Sequence, residues 1–145
     1  MVFSKLTVMK NIFLIISLFF VLTAIGQNEE KTSCTSRIFS TSEQKPTYGA
    51  SYEDFLNYLK DHLILKEYSV RAKGIFSISI NCKGEVFKVY FHKGSIKEKE
   101  QKKIINTLLQ MPNWNPAKAE KNIDYQFFLD FTFTDNQFNV KPFMR

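Results

Sequence analysis

Residues 122–134, NIDYQFFLDFTFT, carry an apolar side chain at every second position from Ile123 to Phe133. This period of two predicts a long antiparallel β-strand with one face on a hydrophobic core. The places between are mostly polar, and we expect them to face solvent: Asp124, Gln126, Asp130 and Thr132, with the aromatic Phe128 among them.

A β-hairpin is predicted upstream of this strand. In residues 74–82, GIFSISINC, apolar side chains alternate with Ser77, Ser79 and Asn81, so we expect these three side chains to be exposed to solvent. Lys83 and Gly84 supply the turn, because glycine adopts positive φ at low cost. On the return strand, the alternation predicts a core face made of Phe87, Val89 and Phe91.

Two amphipathic helices complete the pattern. The first begins at the capping sequence SYED (51–54) and is expected to end near Leu65, and the second begins at SIKE (95–98) and ends before Pro112. The fold class predicted is therefore α+β, a three-stranded antiparallel sheet with two helices packed on one face. The apolar stripes are Phe55, Leu56, Leu59 and Leu63 in the first helix, and Ile104, Ile105, Leu108, Leu109 and Met111 in the second.

The N-terminus has the pattern of a signal peptide. Lys5 and Lys10 precede the apolar run IFLIISLFFVLTA (12–24), and Ala24 and Gly26 are the small residues that a signal peptidase requires. We expect a signal peptide over residues 1–26, a polar linker or loose arm over 27–45, and a domain over 46–145. Export is the leading interpretation, and an uncleaved membrane anchor is the alternative.

Composition argues against several classes of function. Removal of Lys5 and Lys10 lowers the formal net charge from +6 to +4, and the remaining bases are mixed with acids, so a nucleic-acid partner is not expected. His62 and His92 are the only histidines, without metal-ligand spacing around them. No catalytic residues, metal or cofactor are predicted, and we expect a binding protein rather than an enzyme.

The chain contains two cysteines, Cys34 and Cys82. In an oxidising compartment they can form a disulfide, which would restrict the unfolded chain by ~4 kcal/mol in the loop-entropy model. The alternative is two unpaired thiols, and the sequence leaves both open.

The segment MPNWNPA (111–117), which follows an amphipathic helix and precedes the long alternating strand, resembles the TonB C-terminal domain family in the form common in Bacteroidetes. The hairpin GIFSISI (74–80) with GEV (84–86) agrees, as does Tyr48-Gly49 before the first helix. The resemblance covers about residues 46–133. Pro112 and Pro116 would hold Trp114 rigidly as a plug of the core.

The resemblance also implies a function. In that family the last strand lies at a sheet edge and pairs with an extended segment of an outer-membrane receptor, which would place this protein in the periplasm. Such pairing uses unpaired backbone groups, whatever the side chains are. The expected partner-binding residues are Asp124, Gln126, Phe128, Asp130 and Thr132.

Three alternatives stay open at this point. The same edge could pair two copies into a homodimer. The chain could instead be an exported structural or inhibitor-like domain, similar to a cystatin, that binds through its loops. If the signal is not cleaved, it could be an energy transducer anchored in the inner membrane.

Overall fold

Two helices and six strands follow one another in the computed structural model, which describes residues 31–63, 71–134 and 137–143. The predicted α+β class is confirmed. The elements are α1 (Tyr52–His62), β1 (Ala72–Ile80), β2 (Val86–Gly94), α2 (Glu98–Leu109), β3 (Ala117–Lys118), β4 (Asn122–Ile123), β5 (Tyr125–Thr134) and β6 (Gln137–Phe143).

The main sheet has four antiparallel strands in the order β2-β1-β5-β6, and β3 pairs with β4 in a separate small sheet. The predicted three-stranded sheet is therefore wrong in its strand count, because β6 was missed. Phe138, Val140 and Pro142 alternate along β6, but a proline argues against an interior strand. β6 lies at the edge of the sheet, where a proline is tolerated.

The hydrophobic core lies against one face of this sheet. The alternation predicted along β1 and β5 is confirmed, since Phe76, Ile78 and Ile80 are fully buried together with every odd-numbered residue of β5. Both helices contribute to the same core through Phe55, Leu59, Ile104 and Leu108. Burial of this apolar surface is the main force that stabilises the fold.

The two helices begin differently from one another. The Asp54 carboxylate accepts hydrogen bonds from the N–H groups of Ala50 and Ser51, at 2.8 and 3.0 Å, which confirms the predicted start of α1. The predicted start of α2 at Ser95 is wrong, because Ser95 exchanges hydrogen bonds with the backbone of Lys73 and so extends the sheet. The N-cap of α2 is Lys97.

The expected end of α1 near Leu65 lies outside the described residues. In the part of the chain that the structure covers, neither helix is long and apolar enough to cross a membrane.

β2 departs from the predicted alternation. Its pairing with β1 skips Phe87 and His92, so β2 contains two irregularities of the β-bulge type. As a result Val86, rather than Phe87, lies opposite Ile80 and is fully buried, whereas Phe87 is half-buried. Simple alternation cannot reveal a bulge, because the extra residue changes the phase of the pattern.

The face of the sheet opposite the core is less exposed to solvent than predicted. Ser77, Ser79 and Asn81 are each 1% exposed. Larger side chains on neighbouring strands cover the two serines: His92 Nε2 lies 2.8 Å from Ser77 Oγ, and Gln126 Nε2 donates to Ser79 Oγ at 3.2 Å.

The hairpin turn brings Gly84 against the segment that contains Trp114. Gly84 has a φ of +87°, and its carbonyl accepts a hydrogen bond from the Trp114 N–H at 2.7 Å. A Cβ at this position would lie 1.9 Å from the Trp114 carbonyl oxygen. Both the dihedral angle and the close backbone contact therefore require glycine.

We predict that Gly84→Ala lowers the free energy of unfolding by at least ~1–2 kcal/mol, because alanine is strained at positive φ and its Cβ displaces the Trp114 backbone. Urea denaturation measures the change. Lys83→Ala, in the same turn but exposed, is the control and should stay within ~0.5 kcal/mol of the parent. An equal stability of the two variants would contradict this account of the turn.

Candidate functional site

Asp124 lies between β4 and β5 and is completely buried, although its place in the alternation predicted a solvent-side position. Its Oδ2 atom accepts hydrogen bonds from the N–H groups of Cys34 and Thr35, at 2.9 and 3.0 Å, and from the Ser33 hydroxyl. Its Oδ1 atom accepts one from the Cys82 N–H at 2.9 Å. The proposed role of Asp124 as a solvent-side partner contact is therefore replaced by a structural one.

Cys34 and Cys82 form a disulfide next to this carboxylate, with their Cα atoms 5.8 Å apart. Of the two possibilities left open by the sequence, the structure has the bonded pair. The two sulfurs and an oxygen of Asp124 lie within 4.8 Å of one another. Since the sulfurs are bonded to each other and the carboxylate is occupied by N–H donors, this cluster joins two parts of the chain.

The segment expected to be a loose arm is tied to the domain from residue 31 onward. Phe39 exchanges backbone hydrogen bonds with the start of β5, where its N–H donates to the Asp124 carbonyl at 2.9 Å and its carbonyl accepts from the Gln126 N–H at 2.8 Å. Gln44 pairs with Lys118 and Thr47 with Asn115. These pairings place residues 45–48 beside the N-terminus of α1.

The buried carboxylate should make stability depend on pH. Burial alone would raise the pKa of Asp124, but the hydrogen bonds from Ser33, Thr35 and Cys82 outweigh it and lower the pKa below its ordinary value. The contribution of Asp124 is thus fully present above the unfolded-state pKa of about 3.9 and is lost as the pH falls below it.

We predict that Asp124→Asn lowers the free energy of unfolding at neutral pH by ~1–3 kcal/mol, since the amide cannot accept from every donor. The difference between variant and parent should shrink as the pH falls below the unfolded-state pKa of about 3.9 toward the lowered pKa of the folded carboxylate, because the parent then loses its charge. Urea denaturation at several pH values measures it. A difference that does not change with pH would contradict the role given to the ionised carboxylate.

β5 is not the edge strand that the resemblance implied. It lies between β1 and β6, and its first residues pair with Phe39 where β6 does not reach. The backbone of the expected binding residues is therefore already paired, and strand addition along residues 122–134 is ruled out in this fold. Two of their side chains also contact other strands of the sheet. Gln126 donates to Ser79 Oγ, and the Phe128 ring lies 5.2 Å from the His92 ring.

β6 forms the edge on this side of the sheet. The hydrogen bond from the Gln126 N–H to Phe39 shows that the even-numbered residues of β5 direct their backbone N–H and C=O groups away from β1. In β6 these residues pair with odd-numbered residues, whose backbone groups therefore point toward β5. The backbone groups of Phe138, Val140 and Pro142 consequently point outward. The Tyr52 hydroxyl donates to the Val140 carbonyl, in agreement with this orientation.

Tyr52 remains a hydrogen-bond donor across the physiological pH range. Its pKa is raised to about 12 by burial and by the nearby Glu53. Pro142 has no N–H, so the outward amides of β6 belong to Phe138, which is half-buried, and to Val140, which is only 1% exposed. No described strand pairs with them.

An apolar groove of about 270 Å³ opens beside this edge. Tyr52, which bonds to the outer edge of β6, also lines the groove. The other walls come from the tied arm, from α1 and from β5, and the lining side chains that are aromatic or proline are Pro46, Tyr48, Tyr52, Phe55, Trp114, Phe127 and Pro142.

Trp114 fills the inner end of the groove. Its indole is 5% exposed, and the ring centres of Tyr48, Phe55 and Phe127 lie 5.4 to 5.6 Å from it. The Nε1 atom has no hydrogen-bond partner among the described residues. Trp114 is thus buried as predicted between Pro112 and Pro116, and its Nε1 atom is itself buried.

No protein-family model, no curated protein and no solved structure matches this chain.

We predict that Trp114→Ala lowers the free energy of unfolding by ~3–5 kcal/mol, because it removes a large buried ring. Trp114→Phe retains most of the packing and removes the unpaired N–H, so its cost should be ~2 kcal/mol smaller. Chemical denaturation of the two variants measures both. If Trp114→Ala melts within a few degrees of the parent, the indole does not support the core.

Proposed function

We propose that this chain is an exported protein-binding domain that takes up an extended segment of a partner protein along the outer edge of β6. One apolar side chain of that segment would occupy the groove. The observation that carries the proposal is the continuity of the two features, since Tyr52 contacts the edge and lines the groove at once.

The chemistry of this arrangement suits peptide recognition. In strand addition, backbone hydrogen bonds supply affinity and pockets for side chains supply specificity. The Phe138 amide would donate to a carbonyl of the segment. The groove favours an aliphatic or aromatic side chain, because its lining is mainly aromatic and proline.

The opposite edge of the sheet is less suitable for strand addition. β2 contains two irregularities in its pairing, at Phe87 and His92. Bulges of this kind twist an edge strand away from a regular partner and protect it from unwanted pairing.

The resemblance to the TonB C-terminal domain supports a particular class of partner, the extended N-terminal segment of an outer-membrane receptor. The binding strand would be β6 rather than the strand expected from the sequence. The disulfide between Cys34 and Cys82 is compatible with an oxidising compartment such as the periplasm.

The test is chemical-shift mapping of the ¹⁵N-labelled protein with synthetic receptor N-terminal peptides. We expect shifts at Phe138, Val140 and the Trp114 indole N–H at millimolar peptide or below. Shifts confined to loops would favour an inhibitor-like domain, and shifts of β6 that depend only on protein concentration would show a second copy at the edge. Either result would contradict the proposal.

We predict that Ala50→Phe, at the exposed rim of the groove, weakens peptide binding about tenfold or more, because the added ring occupies the space for the side chain. Thr41→Phe is the matched control, since Thr41 is exposed on the same arm and does not line the groove. Titration calorimetry compares them. Equal affinities for the two variants would show that the groove is not used.

A further inference from the structure

The face of the sheet opposite the core contains a second cavity, of about 470 Å³, where β1, β5 and β6 lie side by side. Strand register explains its lining. Lys73 lies beside Thr132, which lies beside Asn139, and the next row places Asp130 beside Lys141. Side chains two apart along a strand share a face, so these rows form one polar surface.

The surface is rich in cations. Arg71, Lys73 and Lys141 line the cavity together with a single carboxylate, Asp130. Within the described residues, none of these three cations has a carboxylate partner within 4 Å, because every ion pair found there involves other lysines. Three unpaired cations around one concavity produce a local positive potential that attracts an anion.

The size and the other lining groups narrow the ligand further. A volume of about 470 Å³ lies within the range of small-molecule sites and is far larger than a bare inorganic anion needs. Thr132, Asn139 and Gln137 offer neutral hydrogen-bonding groups. The negative charge of the Asp130 carboxylate would repel a second anionic group of the ligand. Its oxygens would accept hydrogen bonds from hydroxyl groups of the ligand.

We propose that this cavity binds a phosphorylated sugar or an equivalent phosphate joined to a polyol. Lys73, Lys141 and the Arg71 guanidinium bind the phosphate through charge-assisted hydrogen bonds. Asp130 accepts hydrogen bonds from the hydroxyl groups. The same chemistry occurs in free sugar phosphates and in the headgroups of anionic lipids.

The charged residues of this site are separate from the groove beside β6. The cavity residues of β5 are even-numbered, whereas Phe127 and Leu129 of the groove lie on the opposite face of the same strand. Phe138 is shared, since it lines the cavity and lies on the binding edge. Substitution of Lys73 and Lys141 should therefore leave peptide binding intact, and substitution of Ala50 in the groove should leave anion binding intact.

The experiment is titration calorimetry with glucose 6-phosphate, glucose and inorganic phosphate. We expect glucose 6-phosphate to bind most tightly, inorganic phosphate more weakly and glucose not measurably. The double variant Lys73→Gln/Lys141→Gln should weaken glucose 6-phosphate at least about tenfold. Lys121→Gln, an exposed lysine outside the cavity, is the control for the loss of one positive charge and should change affinity less than about twofold.

Asp130→Asn tests the role of the carboxylate. Removal of the negative charge should strengthen binding of inorganic phosphate and reduce the preference for glucose 6-phosphate over it. Vesicles of phosphatidylcholine with and without phosphatidylglycerol distinguish a lipid source, since headgroup binding requires the second lipid and the same two lysines. Equal binding of glucose and glucose 6-phosphate, or equal effects of the double variant and Lys121→Gln, would overturn the proposal.

Discussion

The buried carboxylate of Asp124, with the disulfide beside it, is the constraint on which the rest of this structure depends. A carboxylate with no exposed surface is costly unless its oxygens accept hydrogen bonds. Here the donors come from Ser33, Cys34 and Thr35 on the arm and from Cys82 after β1. The domain therefore reaches its stable form only when residues 33–35 are in place.

This constraint acts on the groove through the arm. Once residues 33–35 are fixed, Phe39 pairs with the first residues of β5, which β6 does not reach. Thr47 then pairs with Asn115. Lys45, Pro46 and Tyr48 then line the groove together with Pro142 near the end of β6. Asp124 and its hydrogen-bond donors thus lie outside the groove, but they fix the arm that lines it.

Much of the fold could be predicted from the sequence. The period of two along β1 and β5, the capping residue Asp54 and the turn at Gly84 depend on neighbours within a few residues, and the structure has each of them. β6 carried a usable signal in Phe138 and Val140, which Pro142 obscured. Without β6, β5 is the edge strand of the sheet, and the sequence therefore predicts binding at β5. With β6 present, the candidate binding strand is β6.

The remaining differences have a common physical cause. The burial of Asp124 depends on donors about 90 residues away along the chain, and the place of Phe87 depends on how β2 pairs with β1. A local alternation carries no information about either. The groove likewise combines the arm, α1, Trp114 and β6, which only the folded chain brings together.

Hydrogen exchange at the Phe138 amide tests the central claim of edge binding most directly. This amide points outward from β6 on a half-buried residue, and no described strand pairs with it, so it should exchange rapidly in the free protein. Val140 is only 1% exposed, and its amide should exchange slowly with or without a peptide. With a receptor peptide bound, the account predicts that the Phe138 amide becomes protected. Continued rapid exchange at Phe138 while the Trp114 indole responds to the peptide would contradict strand addition.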